Sequence, residues 1–290
     1  MRRATLLILL LFAALAPACA APQRIDITEW QSALAAVREQ SNLSFKAVNA
    51  LAAQSRLDSS AALPALRAAD FAPALPARGV DSWNAALDAI AIYADALSEL
   101  LDPALSEGAS QTLRDAGDRI TRSSSFPALQ RAGPISDAVA ILGARLVARA
   151  AERSARAVML DADPAVNALL TAMARIILDE STPPRRAGLI PTVEVTWSTL
   201  LAQREVDYLE LPPDRRAGAA AAYSDAVASQ DDSLGALLSL RAALLDLARA
   251  HSAAAQGHDL DTRALIAAAR EDIATLKQLI ADLRAARRAR

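Results

Sequence analysis

Residues 237–283 read LLSLRAALLDLARAHSAAAQGHDLDTRALIAAAREDIATLKQLIADL. Leu237, Leu240, Leu244, Leu247 and His251 recur at alternating steps of three and four. After a short break, Ile266, Ala269, Ile273, Leu276, Ile280 and Leu283 do the same. At 3.6 residues per turn each set falls on one face of an α-helix. Gly257 is a natural C-cap between them, and Asp259 or Asp261 a natural N-cap. No proline interrupts Asp214 to about Ala255, so the first helix would extend about 60 Å at 1.5 Å per residue. The spacing therefore predicts a long antiparallel C-terminal helical hairpin over 214–290.

Working outward, the same periodicity covers the rest of the chain. Trp30, Leu34, Val37, Val48 and Leu51 follow a capping-box pattern at Thr28 and Gln31. Asp58-Ser59-Ser60, Pro64, Pro73, Pro76 and Gly79 mark 58–80 as an irregular connector. Trp83, Leu87, Ile90, Ala94, Leu97 and Leu101 then form a stripe that stops at Asp102-Pro103. A short helix is expected near 109–122. A further helix opens at Gly133-Pro134 and runs to about Leu160, with Ile135, Val139, Leu142 and Leu146 on one face. Asp163-Pro164 reads as an N-cap followed by proline at the first helical position, ahead of Val166, Leu169, Met173 and Ile176. Val193, Trp197, Leu200 and Tyr208 lead to Pro212-Pro213. No strand-like alternation appears. The expectation is all-α: an elongated antiparallel bundle of about six to eight helices over 28–290.

The N-terminus reads as an export signal. Met1-Arg2-Arg3 is a basic start, and Ala4 to Ala18 carry no charge. That run would span about 22 Å as a helix, short of the ~30 Å hydrocarbon core, which favours a cleaved signal over a permanent anchor. Cys19 is the chain's single cysteine. Ala16-Pro17-Ala18 before it is similar to a lipobox, whose cysteine becomes the acylated first residue of bacterial lipoproteins; ordinary cleavage after Ala18 or Ala20 also fits the small-residue rule. The expected division is a signal peptide at 1–18, a tether at 19–27 and the bundle beyond. With one cysteine, no intramolecular disulfide forms and the core alone must hold the fold.

The signal with Cys19 and the alanine- and leucine-rich helices, including the tryptophan-free Leu237–Leu283 stretch, resemble the uncharacterised helical lipoproteins of GC-rich Gram-negative bacteria. The resemblance implies a place and an architecture: a cell-envelope protein on the periplasmic side of a membrane, or a soluble periplasmic or secreted one if cut after Ala20. It carries over no active residues.

Composition limits the chemistry. Removing Arg2 and Arg3 from 31 basic residues leaves 29 against 33 acidic ones, a formal charge of −4, which is no balance for binding nucleic acid. Nucleotide-binding glycine loops, a hydrolase nucleophile elbow, haem-attachment motifs, His-Glu-x-x-His zinc sites and Glu-x-x-His di-iron sites are all missing from the sequence. No catalytic, metal-binding or cofactor-binding residue is assigned. The two histidines are His251 and His258; His251 continues the leucine stripe and reads as a hydrogen-bonded histidine at the core edge, with a haem or metal ligand as the alternative. Asp161 with Asp163, Asp231 with Asp232, and Asp259 with Asp261 read as aspartates at helix ends or on exposed faces, serving capping and solubility, with a cation ligand as the alternative. The basic tip Arg284, Arg287, Arg288 and Arg290 suits a helix C-terminus.

One motif repeats. Pro183-Pro184-Arg185-Arg186-Ala187-Gly188 recurs as Pro212-Pro213-Asp214-Arg215-Arg216-Ala217-Gly218. Proline suits helix starts, and the arginines follow from composition. Cations are nonetheless disfavoured beside a positive helix N-terminus, which makes Arg185, Arg186, Arg215 and Arg216 candidate anion contacts. The leading functional expectation is a non-enzymatic envelope scaffold, tethered through a lipid on Cys19, that presents its long hairpin to an unidentified protein partner. The alternatives are a bundle holding a small molecule, haem or metal in a cavity near Met159, Met173, Trp197 or His251, and a secreted membrane-active effector.

Overall fold

The computed structural model describes residues 27–60, 65, 67–68, 72–101, 109–124, 134–150, 154–180 and 187–288, giving the backbone alone at 58–60, 109–110, 123–124 and 282–288. Among these residues it is all-α, with eight helices: α1 Ile27–Ser60, α2 Ala77–Leu101, α3 Ala109–Ser124, α4 Pro134–Ala148, α5 Ala155–Ile177, α6 Leu189–Glu210, α7 Pro213–Gln256 and α8 Asp259–Arg288. Cys19, Arg185 and Arg186 lie outside the described residues, as do the side chains of the C-terminal arginines.

α1 and α2 form an antiparallel pair held by polar rungs whose numbers rise on one helix as they fall on the other. Gln31 donates to Asp95 at 3.0 Å, Arg38 pairs with Asp88 at 2.5 Å, and Asn42 and Asn84 exchange amide hydrogen bonds at 3.1 and 3.2 Å. Trp83 Nε1 donates to Ser41 Oγ at 3.0 Å. Asn49 grips the backbone of Leu75, donating to its carbonyl at 3.0 Å and accepting from its amide at 2.7 Å. Gln31 is thus spent on α2, and Thr28 lies inside the helix, so the expected capping box is not the device that starts α1. The irregular connector is also shorter than 58–80. α1 continues through Ser60, and Pro76 presents its carbonyl to Gly79 N at 2.9 Å to open α2 at Ala77.

The break expected at Asp163-Pro164 falls elsewhere. α4 ends at Ala148, and Ser154 caps α5 by accepting from Ala157 N at 3.3 Å. α5 then runs through Pro164 without interruption. Proline inside a helix costs about 3 kcal/mol, because it removes one backbone hydrogen bond and crowds the preceding turn. Here Pro164 and Leu160 both face solvent, so water can take the carbonyl that loses its partner. The neighbouring Asp163 points inward and ties α5 to α7. Along α5, Val158, Met159, Val166, Leu169, Leu170, Met173 and Ile177 are buried in the core.

α3 and α4 cross at two glycines. A Cβ on Gly117 would lie 2.7 Å from the Gly143 carbonyl, and one on Gly143 would lie 2.9 Å from the Gly117 carbonyl. At the start of α6, Gly188 has φ +118, and a Cβ there would meet the Ile176 and Ile177 carbonyls at 2.8 Å.

The α7–α8 hairpin forms as its spacing predicts. Gly257 adopts φ +80; its amide reaches Ala254 O at 3.0 Å and the His258 amide reaches Ala253 O at 2.8 Å. That is the bond pattern of a Schellman motif. Arg156 of α5 adds a cation, donating to Ala255 O at 3.2 Å and also to Gln256 O. The guanidinium faces the negative end of the α7 dipole. Near the other end of the hairpin, Gly235 stands opposite Leu279. Carrying that register along brings the last residue of α8 level with about Ala226, the first buried residue of α7. The α7 segment before it, 213–225, therefore extends past α8.

Candidate functional site

His251 sits where the leucine stripe of α7 placed it, with 2 % of its side chain exposed. Its Nδ1 is 2.8 Å from Asp163 Oδ1 on α5, and its Nε2 is 2.8 Å from Tyr93 Oη on α2. The ring centroids of Tyr93 and of Trp30 on α1 lie 5.6 and 5.7 Å from the imidazole. Trp30 Nε1 donates to Leu247 O at 3.1 Å, one turn before His251. Four helices thus meet at one imidazole.

Asp163 is bound from several directions. Asn167 Nδ2 donates to its Oδ1 at 2.9 Å, and the Ser252 hydroxyl lies 2.9 and 3.0 Å from its two oxygens. Asn167 also reaches Ser252 Oγ at 2.6 Å. Burial pushes the Asp163 carboxyl pKa up, but hydrogen bonds from His251, Ser252 and Asn167 and the His251 charge outweigh it, so the net shift is downward. Tyr93 is raised well above its usual value, first by burial and then by the Asp163 charge. An ionised Asp163 requires the proton on His251 Nδ1. With the ring neutral Nε2 accepts from the Tyr93 hydroxyl, and with it charged Nε2 donates to the hydroxyl oxygen; in both forms each imidazole nitrogen has a partner.

This chain of groups resembles a nucleophile–base–acid triad in order, but Tyr93 is fully buried and has no face from which to meet a substrate. Its geometry suits a polar cross-link, whose members are costly to separate because each leaves another unpaired in the core. Both nitrogens of His251 are occupied, leaving neither to ligate a haem or a metal. Among the described residues no group of three or more His, Cys, Asp or Glu side chains is placed to hold a metal ion. The helix-end reading of Asp163 missed its role, since a partner 88 positions away in the chain leaves no local trace. The signals available were the imidazole on a core face, which demands partners, and Tyr93 between Ile90 and Leu97 on the buried stripe of α2.

A second feature lies at the far end of α7. In α6 the buried side chains end at Leu200, and in α7 they begin at Ala226. Between these limits the two helices project as an arm from the bundle. Leu209 is 72 % and Val206 52 % exposed. A groove of about 440 Å³ runs between the helices, lined by Glu205, Tyr208, Leu209, Ala220 and Tyr223. Tyr223 Oη donates to Glu205 Oε1 at 2.5 Å, and this bond leads the causes raising the tyrosine's pKa.

Of the candidate anion contacts, Arg215 is exposed on this arm. Arg216 turns back toward α6, with Nε 3.0 Å from Leu211 O, Nη2 3.5 Å from Leu209 O, and its guanidinium 5.7 Å from the Tyr208 ring centroid. A cation near the start of α7 is thereby accounted for: it serves the carbonyl end of α6. His258 sits in the exposed turn, 3.9 Å from Asp261, and Asp161 pairs with Arg145 and Arg149 at 3.0 and 3.4 Å. No family model, curated protein or solved structure matches this chain.

Proposed function

We propose that the protein is an exported bacterial cell-envelope component, tethered through a lipid on Cys19, that acts without catalysis by offering the α6–α7 arm to a protein partner. The observation that carries the reading is the arm itself. Two helices alone cannot bury an apolar face, and Val206, Tyr208 and Leu209 stand on a projection that the bundle does not need for its core. Helix pairs with such a groove suit amphipathic partners, and large apolar side chains gathered on one exposed element are typical of contact surfaces. The N-terminal signal and Cys19 supply the compartment. The presenting surface is the α6–α7 arm, because the α7–α8 pair turns its apolar stripes, Leu237 to Leu247 and Ile266 to Ile280, into the core.

The test is expression of the wild type and Cys19→Ser in a Gram-negative host, with a photo-cross-linking residue at position 209 in both. The expected outcome is a lipid mass on Cys19, detergent-phase partitioning that the variant loses, and a discrete cross-linked protein. An unmodified mature chain starting at Ala21 would overturn the tether. A cross-linker at 209 that captures nothing in the host envelope, while the protein is folded there, would overturn the presenting arm.

A further inference from the structure

We infer that the groove between α6 and α7 is a binding site for a small alkylated ammonium ion, with Glu205 facing its charge, the Tyr208 and Tyr223 rings its methyl groups, and Leu209 and Ala220 its alkyl chain. The inference stands on the groove alone and does not require that the arm carry a protein partner. Glu205 is the charged residue of the five that line the groove, and the nearby Arg216 already donates to the Leu211 and Leu209 carbonyls, so the lining itself favours a cation over an anion. A small hydrated metal cation gains little from walls that are otherwise aromatic and aliphatic. A weakly hydrated organic cation matches both parts at once, because its charge is drawn to the carboxylate and to the electron-rich face of a phenol. The volume of about 440 Å³ lies within the usual range for small-molecule sites.

Two contacts within the chain bear on this chemistry. The hydrogen bond from Tyr223 Oη to Glu205 holds ring and carboxylate together before any ligand arrives. Arg216 lies over the Tyr208 ring at 5.7 Å and competes with an incoming cation there, so the Tyr223 ring beside Glu205 is the stronger contact for the ammonium group.

The experiment is an NMR titration of the folded full chain with hexyltrimethylammonium, beside 1-hexanol and hexanoate as the neutral and anionic counterparts. Resonances of Tyr208, Leu209, Ala220 and Tyr223 should move with the cation, while the neutral and anionic probes bind at least about tenfold more weakly. Glu205→Gln keeps an acceptor for Tyr223 and should bring cation affinity down to that of the alcohol. Leu209→Ser keeps the charge and should weaken all hexyl probes together. Unchanged resonances at these residues up to about 10 mM cation, equal binding of cation and alcohol, or full cation affinity in Glu205→Gln would each overturn the site.

Discussion

Tyr93 and Asp163 titrate at opposite ends of the pH scale, and the His251 imidazole stands between them. The Asp163 pKa is lowered on folding, so its contribution to stability is present above its unfolded value near ~4 and is lost as pH falls through the lower folded value. The Tyr93 pKa is raised; its contribution is complete below about 10 and is lost as pH rises past that point. Replacing Tyr93 with Phe leaves His251 Nε2 without a partner in the core and should cost about 1–3 kcal/mol in urea denaturation at pH 7. The same variant should lack the Tyr93 part of the alkaline loss. A Tyr93→Phe/His251→Leu double variant should lose less than the sum of its single variants, because fewer polar atoms are stranded. Additive losses in that cycle would mean that Tyr93 and His251 are energetically independent.

At the scale of the element, glycines separate helix packing from helix propensity. Gly143 has the Gly117 carbonyl and Thr121 against the position of its missing Cβ, at 2.9 and 2.5 Å. Gly143→Ala should therefore destabilise by about 1–3 kcal/mol as α3 and α4 are pushed apart. Gly218 lies in α7 with nothing within 4 Å of that position, and Gly218→Ala should stabilise by up to about 1 kcal/mol. Thermal melts of the two variants should thus shift in opposite directions. Neither difference was legible in the sequence, where both residues are glycines inside a helical pattern. The α7–α8 hairpin was legible to its turn, because stripe, Gly257 and Asp259 all agree locally. Asp163-Pro164 misled for the opposite reason: its local pattern is that of a helix start, and Ser154 together with the tie to His251 outweighs it. The polar chain was only half legible, through His251 and Tyr93 on core faces, since its members come from three separate helices.

For the whole molecule, the division between bundle and arm should appear in hydrogen exchange. Amides of 201–225, where no side chain is fully buried among the described residues, should exchange through local opening well before those of 237–255, where the His251 cross-link and the core hold α7. Equal protection along α7 would mean that the arm is covered in solution. The single helix α7 serves both regions: 31 residues from Ala226 to Gln256 run from its first buried position to its end, and the 13 before them, 213–225, reach past α8. It spans about 66 Å in all. A continuous helix of that length sets the direction of the arm from within the core. A ligand or partner that meets the groove then finds its two walls already in place, so little configurational entropy is surrendered at contact. The rate of encounter is governed by diffusion and orientation, with no folding of the recognising surface interposed.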